Sequence, residues 1–261
     1  MELGLKGKVA LVHGAGGGLG GAIARALGAE GATVVACDIN EANLADTCRA
    51  IEAAGGKAMG KQWDLGQIDQ FQQWHKEVVD AVGPIDVLCN NTGGPPPSQV
   101  QNVDRAVWER HFTQMVLSVV SMTDLVLPGM KERGWGRIIT SASSGVVAPI
   151  ANLGLSNALR SALVGWSKTL AREVGPDGIT SNVLVPGRIA TQRIVALDKA
   201  KAERENRSYD SVVQESVGSI PVKRYGDPAE YGAAAAFLAS AQASYITGSI
   251  IRVDGGLIAS V

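Results

Sequence analysis

The chain has 261 residues, 46% of them hydrophobic and 19% charged, with a formal net charge of −1 and three cysteines. That length buries a full core and fits one α/β domain spanning 1–261, and the near-neutral charge offers no basic field for nucleic acid or anionic lipid. No signal-like start and no uninterrupted apolar run of about 18 residues is visible, so a soluble, cytoplasmic protein without a membrane partner is expected; Cys37, Cys48 and Cys89 share no metal-ligand spacing, so no metal is expected.

Residues 8–13 form a short apolar run rich in β-formers, which predicts a strand. Gly14, Gly18 and Gly20 follow at G-x-x-x-G-x-G spacing, with Gly16 and Leu19 inside the turn, and Ile23, Ala24 and Leu27 then recur at helical period. Such glycines permit a tight turn without Cβ clashes and let backbone N–H groups approach a pyrophosphate at the positive end of the next helix. Residues 33–36 predict the second strand, ending at Cys37-Asp38. An acid at that tip accepts hydrogen bonds from adenosine ribose hydroxyls and repels a 2′-phosphate, and neither Gly17 nor Ile39 supplies the cation that such a phosphate needs. NAD is therefore expected over NADP.

Asn40 can cap a helix over 41–54, with Leu44, Cys48 and Ile51 as its apolar stripe and Gly55-Gly56 as its stop. A strand over 57–63 ends at Asp64-Leu65, where a carboxylate can meet an adenine amino group. A helix over 67–82 follows, and Pro84 opens a strand over 85–89 that runs into Asn90-Asn91-Thr92-Gly93. Gly93-Gly94-Pro95-Pro96-Pro97 is a rigid loop at the same edge. Next come a long helix over 104–133, a strand over 136–141 with the polar exit Ala142-Ser143-Ser144-Gly145, and a helix over 151–174. A strand over 179–185 exits through Pro186-Gly187-Arg188-Ile189-Ala190-Thr191, the polar stretch 192–222 reads as a mobile helical flap over the site, and a helix over 229–239 precedes a last strand over 249–253. Short apolar strands alternating with helices mean a doubly wound parallel sheet of about seven strands, with ligands beyond its carboxyl edge.

Gly14-Ala15-Gly16-Gly17-Gly18-Leu19-Gly20, Asp64-Leu65, Asn90-Asn91-Thr92-Gly93, Pro186 to Thr191 and Ser244-Tyr245-Ile246-Thr247-Gly248 with Val253-Asp254-Gly255-Gly256 together resemble the short-chain dehydrogenase/reductase family, nearest its 3-oxoacyl-ACP-reductase-like members. The resemblance spans nearly the whole chain and implies one Rossmann-type domain and a CH–OH oxidoreductase. It also implies that Asp64 touches adenine, that Asn90, Asn91 and Gly93 support the nucleotide, and that Ile189 and Thr191, after Pro186 and Gly187, hold the nicotinamide carboxamide. A small-molecule substrate and a homo-oligomer, dimer or tetramer, are implied likewise.

The catalytic positions depart from that pattern. The family uses an Asn, a Ser and a Tyr-x-x-x-Lys; here Met115 stands at the Asn position, Ser143 matches the Ser, and thirteen residues beyond it Ser156 and Arg160 replace the Tyr and Lys. Tyr209, Tyr225, Tyr231 and Tyr245 have no lysine four residues later, so no displaced dyad exists. Ser156 and Arg160 still share one helix face, but a serine hydroxyl is a far weaker acid than a phenol and arginine keeps its charge at physiological pH.

The planar fork of Arg160 suits a carboxylate, a phosphate or the nicotinamide ribose. With Arg188 near the same pocket, one reading is an anionic substrate; the other is a ribose contact for Arg160 with Arg188 in solvent. His13 is expected to tie strand ends together by a hydrogen bond towards Thr92, His75 to be exposed, and His111 to pack or meet a subunit rather than catalyse. Tyr209, in the flap, is a weaker candidate for a substitute acid. Three functions remain open: an NAD-dependent oxidoreductase using Ser143, Ser156 and Arg160; a non-catalytic NAD-binding sensor or partner subunit; and non-redox chemistry in the same pocket, which the intact glycine turn and Asp38 disfavour.

Overall fold

The computed structural model describes residues 2–260; Met1 and Val261, the two ends of the expected domain span, lie outside the described residues. One seven-stranded sheet, all parallel, runs in the order β3-β2-β1-β4-β5-β6-β7. Its strands are β1 (Val9–His13), β2 (Thr33–Asp38), β3 (Lys57–Gln62), β4 (Val87–Asn90), β5 (Gly136–Ser141), β6 (Ile179–Pro186) and β7 (Ile250–Val253). The strand order reverses between β1 and β4, so their exits diverge and leave a crevice at the carboxyl edge.

The central strands are apolar throughout because helices cover both faces. β1 and β4 are buried along their whole length, whereas the edge strand β3 is only half-buried and carries Lys57, Lys61 and Gln62. On one face lie α1 (Gly18–Ala29), α2 (Glu41–Ala53) and α9 (Pro228–Ala239), enclosing a core of Ile23, Leu27, Val34, Val87 and Tyr231. On the other lie α3 (Phe71–Val82), α4 (Arg105–Phe112), α5 (Ser118–Glu132) and α6 (Gly154–Val174), packed over Leu11, Val35, Trp63, Leu88 and Ile138. The Asn40 side chain caps α2 by accepting from Asn43 N at 3.0 Å, as its position predicts.

Of the boundaries that differ from those the sequence predicts, three shape the crevice and its neighbours. β4 starts at Val87 rather than at 85, because Asp86 turns its carboxylate to Val9 N (3.0 Å) and Ile85 gives its carbonyl to Arg133 (2.8 Å). α6 starts at Gly154 rather than at 151, because Ser98 N donates to Asn152 O (2.8 Å) and Gly154 N to Ser98 O (3.2 Å), holding residues 151–153 as a turn against the proline loop. The long helix is not continuous: a π turn over Thr113–Leu117 separates α4 from α5. The Arg105–Glu132 stretch is long and apolar enough to cross a bilayer by composition, with a mean hydropathy of 1.3 over 18 residues, yet Val119, Met122, Val126 and Met130 are buried in the core. The expected flap is two helices, α7 (Gln192–Glu205) and α8 (Tyr209–Ser219), parted by Asn206 in the left-handed conformation.

Candidate active site

The glycine turn closes against its own strand. A Cβ on Gly20 would sit 2.0 Å from the Gly14 carbonyl oxygen, a contact no side chain tolerates, and the Asn91 amide donates to the carbonyls of His13 (3.4 Å) and Gly14 (3.5 Å) to fix the turn from β4. Gly16 is also required, since a Cβ there would lie 2.7 Å from Asp38 Cγ. α1 begins at Gly18 with no side-chain cap, so its first-turn N–H groups face the crevice without helical partners, beside open space over Gly17. That arrangement fits a pyrophosphate.

Asp38 folds over the turn. Its carboxylate accepts from Gly16 N and Asn40 N, both at 2.9 Å, and forms no ion pair among the described residues. Ile39 is 66% exposed, a bare apolar surface for an adenine ring, while the Gln62 amide donates to its carbonyl at 3.2 Å. Asp64 uses one carboxylate oxygen to accept from Gly66 N at 2.8 Å, and Leu65 is half-buried behind it. These groups line the end of the crevice where the sequence leads one to expect the adenosine.

Beneath the turn lies a row of buried polar side chains. His13 does not hydrogen-bond towards Thr92 as the sequence predicts: both of its ring nitrogens, Thr92 Oγ1, Asn90 Oδ1 and Trp63 Nε1 are buried without partners. The ring is instead packed against Trp63, with centroids 5.6 Å apart, because β1 sends it inward to the aromatic cluster rather than across to the β4 exit. Burial lowers its pKa from 6.5 to about 4, the Asn90 side chain offsetting part of that. Asn90 donates to Thr123 Oγ1 at 3.4 Å. His75 is half-buried rather than exposed, and His111 is buried with Nε2 unpartnered, in keeping with a packing role.

At the β6 exit Pro186 ends the strand and Gly187 N donates to Val253 O (2.9 Å), with Asp254 Cα only 2.5 Å from where a Gly187 Cβ would be. Ile189 forms a parallel bridge with Gly226: Ala190 N donates to Gly226 O (2.8 Å) and Gly226 N to Arg188 O (2.9 Å). In a parallel bridge of this register the flanking residues make both bonds, so the N–H and C=O of Ile189 itself point the other way, unused. A donor and an acceptor side by side match a carboxamide. Thr191 caps α7, and its methyl lies 3.7 Å from where a Gly18 Cβ would be, closing the crevice between its two ends. Arg188 neither points to solvent nor waits for an anion: it is paired at 2.5 Å with Asp198, a wholly buried acid that also accepts from Tyr225 Oη at 2.7 Å.

The catalytic positions come together across β5 and α6. Ser143 Oγ accepts from Gly145 N at 3.1 Å, leaving its O–H to donate. Ser156 is 7% exposed, and its hydroxyl has no hydrogen bond among the described residues. Arg160 extends past Ser156 to the strand exits, donating to Ser141 O (3.1 Å), Thr92 O (3.1 Å) and Gly93 O (2.9 Å). Its fork is thus largely spent on backbone carbonyls, not presented flat to a ribose, because a guanidinium this deeply buried without a carboxylate must satisfy its donors on the oxygens nearest to it. Burial brings its pKa down to about 10, so it stays cationic. Met115 is buried against Leu155 and Leu159, leaving an apolar group where a relay amide would stand.

No tyrosine takes the missing place. Tyr231 is buried on the opposite face with its hydroxyl between Ser141 and Leu184, Tyr225 is committed to Asp198, and Tyr209 lies half-exposed at the start of α8. The sequence reading missed Arg193. It stands in the first turn of α7 and donates to Pro95 O at 2.8 Å; a cation at a helix N-terminus opposes the helix dipole, which was the available signal.

A family model described as enoyl-(acyl carrier protein) reductase matches residues 14–258. Nodulation protein G of Azospirillum brasilense is 35% identical over 251 residues, 96% of this chain and 98% of that one. The 3-oxoacyl-[acyl-carrier-protein] reductase FabG of Vibrio harveyi is 33% identical over 255 residues, 97% and 98% of the two chains. The structure of L-sorbose reductase from Gluconobacter frateurii, complexed with NADPH and L-sorbose, superposes with a TM-score of 0.93 at 30% identity, covering both chains in full.

Proposed function

This chain belongs to the short-chain dehydrogenase/reductase family, and from that premise we propose that it is an NAD(H)-dependent oxidoreductase acting on a carbonyl or its alcohol through a rearranged site. The observation that carries the reading is the unused N–H and C=O of Ile189, a carboxamide-shaped pair at the far end of the crevice from the glycine turn. A protein that only gripped an adenine nucleotide would have no use for it.

Gly14, Gly16, Gly18, Leu19 and Gly20 would hold the pyrophosphate, Asp38, Ile39, Asp64 and Leu65 the adenosine, Asn91 and Gly93 the turn and ribose, and Pro186, Gly187, Ile189 and Thr191 the carboxamide. When bound, the nicotinamide ring gives or takes the hydride. Around it the side chains of this chain have limited means. Ser143 and Ser156 can each donate an O–H to the reacting oxygen, binding and polarising it. Neither hydroxyl is acidic enough to supply a proton at neutral pH, and Arg160, fixed on three carbonyls, orients the Thr92-Gly93 backbone instead of tuning an acid. The proton at the substrate oxygen must therefore come from solvent or from the substrate.

NAD is favoured over NADP by Asp38, whose carboxylate occupies the space beside the turn with no cation next to it. The NADPH in the sorbose reductase complex is a property of that protein. The second reading, a non-catalytic NAD-binding sensor or partner subunit, is favoured by the buried Met115 and the occupied fork of Arg160. Titration of NADH and NADPH by fluorescence, followed by NADH oxidation across a ketone and aldehyde panel, separates the two. NADH binding with turnover supports the enzyme; tight binding without turnover across the panel replaces it with the sensor. A homo-oligomer in the cytoplasm completes the reading, and gel filtration returning a monomer at micromolar concentration would remove that part.

A further inference from the structure

The loop after β4 brings two arginines to one exposed point. If Gly94 carried a Cβ, only two heavy atoms would lie within 4 Å of it: Arg193 Nη2 at 3.6 Å and Arg160 Nη2 at 3.7 Å. Gly94 is exposed, so this point of the Gly93-to-Pro97 loop opens to solvent. Neither arginine has a carboxylate partner among the described residues, whereas Arg133, Arg188, Arg207 and Arg224 are all paired with acids.

The local electrostatics favour an anion more than the pair alone would. Arg193 lies in the first turn of α7, a turn that contains no acidic residue, so the helix dipole adds to its charge there. Arg160 lies in the second turn of α6, whose first turn also lacks an acid. Two guanidinium groups thus meet at one point with no carboxylate paired to either, an arrangement that costs stability while it stays empty. Both N–H groups of Arg160 Nη2 and one on its Nη1 are used by carbonyls, so Arg160 brings a fixed charge to this point, while Arg193 Nη2 gives one N–H to Pro95 and keeps the other free.

We propose that the Arg160–Arg193 pair over Gly94 is the binding site for the carboxylate of an acidic substrate, an inference that rests on the oxidoreductase reading for the word substrate but not for the site. An oxygen placed a few tenths of an ångström beyond the Cβ position, towards the two Nη2 atoms, accepts from Arg193 and is held by the charge of Arg160. Arg193, at the start of the flap, is then the residue that selects acids over neutral carbonyls.

The experiment is thermal stabilisation of the purified full chain by pyruvate, with acetone as the neutral control and inorganic phosphate as a second anion, at constant ionic strength. Arg193→Gln and Gly94→Ala are compared with the unaltered protein, and NADH affinity is measured alongside by fluorescence. Gly94 has ordinary backbone angles and space for a methyl, so the second variant folds and fills the point directly. Pyruvate is expected to stabilise saturably and acetone not at all, with both variants weakening pyruvate about tenfold or more and NADH less than twofold. Three results overturn the proposal: no saturable effect of pyruvate, an equal response to phosphate and pyruvate, or loss of NADH affinity in step with the anion, which would assign the pair to the cofactor diphosphate. Saturable pyruvate binding without NADH turnover would leave the site standing and remove the dehydrogenase reading instead.

Discussion

The two ends of the crevice are made from different materials. At the end under the exits of β1, β2 and β3, the groups offered to a nucleotide are mostly backbone: the first turn of α1 and the Gly14–Gly20 turn. At the catalytic end, over β5 and α6, the chemistry depends on the identity of a few side chains, and there Met115, Ser156 and Arg160 depart from the family pattern. Backbone donors survive any substitution that preserves the fold, whereas a proton donor disappears with one codon. A chain can therefore keep its whole grip on a cofactor after losing the acid that made the grip useful.

On that contrast, the largest loss at the catalytic end is its acid. Replacing Ser156→Tyr together with Arg160→Lys is expected to raise NADH-dependent carbonyl reduction by about 10²–10⁴-fold, the usual contribution of a positioned acid/base group, while NADH affinity stays the same. Steady-state rates on the same ketone panel check this, and a folded double variant with no gain would break the comparison, because the deficit would then lie in substrate positioning.

The second effect sharpens the nucleotide end, where the buried His13 ring is held by packing instead of hydrogen bonds. His13, neutral when folded with a pKa near 4, takes up a proton near 6.5 on unfolding. The unfolded chain thus binds more protons than the folded one between those values, so stability is full above pH 6.5 and falls as the pH drops towards 4, by about 3 kcal/mol in all. His13→Thr should flatten that slope in urea unfolding measured at pH 7.5, 6 and 4.5; an unchanged slope would trace the acid sensitivity to other groups. The smallest effect concerns the ribose. Asp38→Ala should narrow the preference for NADH over NADPH by about tenfold, the size of a charge contact with a 2′-phosphate, and equal affinities in the unaltered protein would undercut the role given to Asp38.

The nucleotide end was legible in the sequence because its devices are local. Gly14, Gly18, Gly20 and Asp38 lie within one strand–turn–helix–strand unit, and spacing alone brings them together. The catalytic end was legible as identities but not as contacts. Ser156 and Arg160 could be placed on one face of α6, yet nothing in the spacing tells that Arg160 reaches carbonyls 19 and about 68 residues away, or that Asp198 claims Arg188. His13 misled for a related reason: the register of β1 against β2 decides which way its ring turns, and that register is set by neighbours distant in the chain. The π turn at Thr113–Leu117 was not legible because the stretch around it is apolar on too many faces for a break in the hydrophobic period to show.

The Arg188–Asp198–Tyr225 cluster also bears on how the pocket could open. Asp198 is fully enclosed and satisfied only while Arg188, on the β6 exit, and Tyr225, beyond the flap, both reach it. Asp198 is carried by α7, so lifting that helix as a rigid lid would break its ion pair with Arg188 and its bond from Tyr225 in one step, a heavy penalty for a thermal excursion. α7 is thus a doorpost of the crevice, held to two other parts of the chain through one of its own side chains.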